Sequence, residues 1–177
     1  TTSTVEASWL SKAWNRLETS SNNLQREQAL PTEADYRHAR TTGWHGTRLP
    51  DADLQIAGVG LGMPESSLNS LGPANSVETA QGRMPWAKYH YGSITYYVRL
   101  GEISSINVKK RDAVTNRGIA VGDSMLKVYD TYGPPVNIQD NTWWYGEYFY
   151  PSDRFKLLKF KTDGKKVKEI SIEQGIS

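Results

Sequence analysis

Gly118-Ile119-Ala120-Val121-Gly122-Asp123-Ser124, followed by Tyr132-Gly133-Pro134, is the stretch on which the fold turns, because the chain carries a version of it twice. Val59-Gly60-Leu61-Gly62 answers Ile119-Ala120-Val121-Gly122, and Leu71-Gly72-Pro73 answers Tyr132-Gly133-Pro134. Further on, an aromatic run beginning at Trp86 matches one beginning at Trp143, and Ile103-Ser104-Ser105-Ile106-Asn107-Val108 matches Val167-Lys168-Glu169-Ile170-Ser171-Ile172. Four correspondences in one order, at a spacing of roughly sixty residues, are the signature of an internal repeat.

Each copy reads as a short helix followed by strands. In the second, Asp123 suits an N-cap, Met125, Val128, Tyr129 and Tyr132 share a helical face, and Gly133-Pro134 stops the helix. In the first, Pro64 fits the opening turn, Leu68 and Leu71 point inward, and Gly72-Pro73 is the stop. Strand patterns cover residues 86–91, 94–100 and 102–109 in one copy, and 143–150, 155–161 and 167–173 in the other. Asp163-Gly164 is a hairpin turn signal, and Gly101 occupies the matching place. The alternation of Ile94, Tyr96, Val98 and Leu100 suits a sheet with one covered face.

The first fifty residues differ. Ser3-x-x-Glu6 forms a capping box, and Val5, Trp9, Leu10, Ala13, Trp14, Leu17 and Leu24 recur along one helical face. That helix should end near Leu30, before Pro31. Thr32-x-x-Asp35 opens a second, short helix to about Arg40, and residues 44–53 read as an irregular polar connector. The expectation is an α+β protein: N-terminal helices, then two tandem modules, each a helix plus a three- to four-stranded antiparallel meander. The divisions fall at 1–53, 54–114 and 115–177.

Composition bounds the function. The 177 residues are 37% hydrophobic and 23% charged, enough for one good core or two small ones. No stretch reaches the ~20 apolar residues of a membrane span. A net charge of +2 is too small to point to nucleic acid. The absence of Cys fits a secreted bacterial protein without disulfides as well as a cytosolic one. Thr1-Thr2-Ser3-Thr4 lacks an initiator Met and reads as a start from which a leader was cut.

The pattern Gly118-Ile119-x-Val121-Gly122-Asp123-Ser124, a short helix, Tyr132-Gly133-Pro134-Pro135, an aromatic strand and Val167-x-x-Ile170-x-Ile172 resembles the repeat unit of small bacterial envelope proteins. These are the BamE-like (SmpA/OmlA) lipoproteins and the β-lactamase inhibitory proteins, with related tandem domains in secreted proteins of Gram-positive bacteria. The resemblance covers residues from about Gly58 to Gly175 and implies three things. They are an α+β fold, an extracytoplasmic location (secreted, or membrane-anchored through a leader), and binding of another protein rather than catalysis.

Catalytic constellations are not legible. His38 and His45 with Asp51 and Asp53 match no metal-ligand spacing, and no cofactor is expected. His90, between two tyrosines, reads as a cross-strand partner. Gly58-x-Gly60-x-Gly62 lacks the Lys of a phosphate loop and reads as a tight turn. The lysine-rich strand ends, Lys109-Lys110-Arg111 and Lys165-Lys166-x-Lys168, read as charged edges that discourage aggregation.

The aromatic clusters carry the functional reading. Strand alternation sends Trp143, Tyr145 and Phe149 one way and Trp144, Tyr148 and Tyr150 the other, so one set is core and the other faces out. The expected partner-binding residues are Trp86, Tyr89, Tyr91, Trp144, Tyr148 and Tyr150, since Tyr and Trp anchor interfaces. A protein of the envelope is the expected partner, with a glycan or wall polymer second. The alternative is a cone-like α+β pocket that binds or processes a small molecule or glycan. A competing structural use is a second sheet face covered by the N-terminal helix through Trp9, Trp14 and Leu17.

Overall fold

The structure, a computed structural model, describes the backbone of residues 3–176 and the side chains of residues 11–16 and 21–175. The chain divides into two units, residues 1–31 and 32–177. The first holds α1 (Ser3–Gln28), which ends two residues short of Leu30, where Pro31 forbids continuation. The Ser3/Glu6 capping box, and the inward roles of Val5, Trp9, Leu10 and Leu17, lie outside the described side chains. Trp14 and Leu24 are exposed at 69% and 56%.

The second unit opens with a 3₁₀ helix (Glu33–Arg40), where the Thr32 N–H donates to Asp35 Oδ2 at 2.8 Å, as the capping pattern required. Eleven strands follow among the described residues: β1 (Gly43–Gly46), β2 (Gln55–Ile56), β3 (Val59–Gly60), β4 (Ser76–Ala80), β5 (Trp86–Tyr91), β6 (Ile94–Arg99), β7 (Glu102–Val108), β8 (Asn137–Gln139), β9 (Thr142–Tyr150), β10 (Arg154–Thr162) and β11 (Val167–Ile176). β2 and β3 make a small hairpin. The other nine form one antiparallel sheet in the order β1-β9-β10-β11-β7-β6-β5-β4, with β8 also on β9. The chain is therefore α+β, with an N-terminal helix and one large sheet. Residues 44–46, expected in the irregular connector, instead belong to the edge strand β1, with His45 opposite Tyr148.

The helices beside the sheet differ in kind. α2 (Met125–Tyr132) is a true α-helix, whereas Glu65–Leu71 is 3₁₀. In the latter, Ser67 Oγ bonds Pro64 O and Ser70 Oγ donates to Ser67 O (2.9 Å), so Ser-rich sequence competes with the helical ladder. The N-cap of α2 is Ser124, whose Oγ accepts from Lys127 N–H (3.1 Å). Asp123, expected in that role, closes the preceding turn by accepting from Ala120 N–H (2.8 Å).

One sheet face is packed. Trp143, Tyr145, Leu158, Phe160, Ile170, Ile172, Ile106, Val108, Tyr96 and Val98 are buried there, each contributing roughly 2 kcal/mol of apolar burial. Tyr129 and Tyr132 of α2 meet Trp143, Tyr145 and Phe160 with ring centroids 5.2–6.5 Å apart. Tyr96 spends its buried hydroxyl on Ile56 O at 2.7 Å.

Contacts in the two echoing stretches run in parallel. Gly62 N–H donates to Ile103 O (2.9 Å), and Gly122 N–H to Val167 O (2.8 Å). Ile103 N–H returns to Met63 O (2.9 Å), and Val167 N–H to Asp123 O (2.8 Å). A register shift falls between Tyr97 and Val98 in one stretch and between Lys161 and Thr162 in the other. The pairing places Tyr89, not Trp86, where the second stretch has Trp143: Tyr89 opposes Tyr96, and Trp143 opposes Phe160. β7 and β11 meet at the centre, with Asn107 opposite Ser171, Ile106 opposite Ile172 and Val108 opposite Ile170.

Both short helices end on a Gly at positive φ, Gly72 at 76° and Gly133 at 78°. Gly133→Val should lower stability by about 2 kcal/mol, because a β-branched residue resists this conformation. Thermal unfolding checks it, and an unchanged midpoint would contradict the strain argument.

Candidate functional site

The sheet's second face is where the molecule can bind. Alternation puts Trp86, Lys88 and His90 of β5, Thr95 and Tyr97 of β6, and Ser105 and Asn107 of β7 on it together. They line a solvent-open groove of about 670 Å³, whose rim carries Glu78, Lys109 and Glu169. Trp86 and Tyr97 lie side by side with centroids 6.1 Å apart. Lys88 Nζ sits 5.5 Å from the first ring and 6.0 Å from the second. A cation held over two rings keeps the floor amphipathic rather than greasy.

His90 is indeed a cross-strand partner, bridging Glu78 Oε2 (2.9 Å) and Thr95 Oγ1 (3.0 Å). The His90 bond holds the Glu78 carboxyl below its usual range against a slight burial effect. Asn107 donates to Glu169 Oε1 and Ser171 Oγ (3.1 Å), while its buried Oδ1 has no partner among the described residues.

The six expected binding residues separate. Trp86 alone lines this groove. Tyr89 and Tyr91 belong to the packed face, against expectation: Tyr89 OH bonds Glu65, and Tyr91 OH donates to Gly72 O at 3.2 Å. The Glu65 bond, with burial second, pushes the Tyr89 hydroxyl up to about 12. Tyr148, expected to face out, is 6% exposed, with its OH on Ala39 O (2.8 Å) and its ring stacked on His45 at 5.0 Å. The Glu33–Arg40 helix covers it, through Tyr36 and Ala39. Trp144 and Tyr150 are half-buried beside Tyr148, around a smaller recess of about 230 Å³. Phe149, expected in the core, is half-buried near the sheet edge with Trp44 (5.4 Å) and under the Arg154 guanidinium (4.6 Å).

Tyr97 is the groove aromatic that lies outside the six expected residues. Its alternation with Tyr96 is the signal that finds it, since Tyr96 is core.

The acidic and imidazole side chains near the N-terminal side of the sheet are engaged separately. His45 Nε2 meets Thr41 O (2.7 Å), His38 packs on Tyr36, and Asp51 pairs weakly with Arg48 (3.4 Å). Asp53 is buried, bidentate to Arg117 (3.1 and 2.7 Å), and accepts from Asn116 (3.1 Å). Burial alone would raise its pKa, but the Arg117 and Asn116 bonds outweigh that and lower it. The Arg117 guanidinium lies 4.9 Å from the Tyr132 ring, so the pair clasps α2. Asp123 is pushed down to about 2 despite burial, by Ala120 N–H, Arg111 (2.8 Å) and Lys127 (3.1 Å). These contacts read as fixed structure.

Comparison with protein-family models, curated proteins and solved structures finds no match for this chain.

Proposed function

We propose that the protein is a non-enzymatic binding protein of the bacterial cell envelope, built from two tandem helix-and-meander modules, that holds a protein partner on the open face of its sheet. The module reading is supported by the paired hydrogen bonds of Gly62 and Gly122, the matched register shifts and the twin glycine caps. The envelope location rests on the resemblance of the 118–172 pattern.

One observation carries the binding reading: Trp86 and Tyr97 form an adjacent aromatic pair in an open groove, whereas Tyr96, Trp143, Tyr145, Tyr148 and Phe160 are buried. Aromatic anchors ringed by charges of both signs, here Glu78, Lys88, Lys109 and Glu169, are what a protein interface uses for energy and register.

The test is capture from an envelope extract, followed by affinity measurement with the purified partner. Trp86→Ala with Tyr97→Ala should weaken binding by about 30-fold or more, the scale of losing one anchor residue, at an unchanged thermal midpoint. Undiminished affinity in the double variant would remove the groove from the interface. Retention of an oligosaccharide in place of a protein would favour the glycan reading.

A further inference from the structure

We infer that the recess beside the Glu33–Arg40 helix is a second binding site, for a small aromatic carboxylic acid. It is lined by Trp144, Tyr148, Tyr150 and Phe155 as walls, with Asn137 and Arg40 among its polar groups. Its volume is about 230 Å³. A cavity of about 150 Å³ with apolar walls accepts a benzene ring, so this one has room for a ring with a short acid arm.

The walls favour a ring. Trp144 and Tyr148 already stand edge-to-face at 5.3 Å, and a ligand ring between them and Phe155 continues that geometry. A cationic ligand is disfavoured, because Lys159 Nζ already stands 4.5 Å from the Trp144 ring centroid and 5.8 Å from that of Phe155. Lys159 is itself compensated by Glu173 at 3.0 Å and does not need the ligand's charge.

Two polar groups select the acid. Asn137 is 4% exposed, yet its only described side-chain bond is a long one, Nδ2 to Gln139 Oε1 at 3.4 Å. A buried amide so poorly used has donor capacity left for a ligand oxygen. Arg40 is exposed and has no ion-pair partner among the described residues. A guanidinium at the rim and an amide in the wall are a donor pair matched to a carboxylate. Asp153 also lines the recess, and it adds repulsion that limits affinity rather than reversing the preference.

The experiment is titration of the intact chain with phenylacetate, and separately with phenethylamine, a cation of similar size, followed by NMR. Phenylacetate should bind saturably with a Kd in the millimolar range, as expected for so few atoms, and should shift the Asn137 side-chain amide and Trp144 indole signals. Arg40→Met should weaken it at least 5-fold at an unchanged melting temperature, since the exposed Arg40 side chain makes no hydrogen bond or ion pair among the described residues. Asn137→Ser, which keeps a hydroxyl donor but shortens its reach, should weaken it as well. Equal or tighter binding of phenethylamine would overturn the inference. So would shifts centred on Trp86, an affinity indifferent to Arg40→Met, or no saturable binding.

Discussion

Arg117→Met should destabilise the protein by about 3 kcal/mol, the low end of what breaking one partner out of a buried ion pair costs. The Asp53 carboxylate is 2% exposed and its compensation is concentrated in that one guanidinium, with Asn116 as a minor donor. Removing the cation strands the anion, and the ring contact with Tyr132 goes with it. For a chain of this size the loss corresponds to a fall of roughly 6–12 °C in melting temperature. Adding Asp53→Asn should recover part of it, because a neutral amide needs no counter-charge. Urea unfolding of the two single variants and the double variant reads this out, and a loss below about 1 kcal/mol would refute the clasp.

The same measurement repeated against pH adds a sign. Asp53 and Asp123 both have folded-state pKa values below their unfolded ones, Asp123 at about 2. Such groups stabilise the fold above the unfolded value, about 3.9, and that contribution is lost as pH falls through the folded value. Wild type should therefore weaken between about pH 4 and pH 2. The penalty of Arg117→Met should shrink over the same acidic range, since a stranded carboxylate is relieved by protonation.

Phe160→Ala should cost about 4 kcal/mol, and Tyr96→Ala a similar amount. The two side chains are fully buried on the packed face, Phe160 between Tyr132 and Tyr145, Tyr96 beneath Ile56. They sit in opposite halves of the sheet, and the β7–β11 ladder joins those halves through an unbroken row of Ile106, Ile172 and Leu158. Each variant should thus lower one shared unfolding transition followed by both circular dichroism and tryptophan fluorescence. Two resolved transitions would show that the halves melt independently.

Much of this architecture was legible in the sequence because its signals are local. The strands at 86–91, 94–99 and 102–108 announce themselves by alternation, and the helix stops by Gly-Pro. β4 and β8 carry no such signal: Ser76–Ala80 is polar and exposed along most of its length, and Asn137–Gln139 has too few residues for a period. β1 has no local signature either, because Gly43-Trp44-His45-Gly46 becomes a strand only through β9, about a hundred residues on.

The site was harder to read for a different reason. Alternation separates two sets of aromatics but does not say which set something else will cover. Tyr148 is buried by Tyr36 and Ala39, two of the few apolar positions in the polar run Glu33-Ala34-Asp35-Tyr36-Arg37-His38-Ala39-Arg40. The Asp53–Arg117 bond spans 64 residues and has no local signature at all.

The seam at Asn107 and Ser171 has a cost during folding. There, Ile106 faces Ile172 and Val108 faces Ile170, so the two strands present matching apolar rows to each other. A chain in which Glu102–Val108 has formed before Val167–Ile176 docks exposes an unpaired strand edge, the feature that makes partly folded chains prone to associate. With 64 residues between Asn107 and Ser171, this ladder is a long-range pairing, intrinsically slower to close than the hairpins on either side of it.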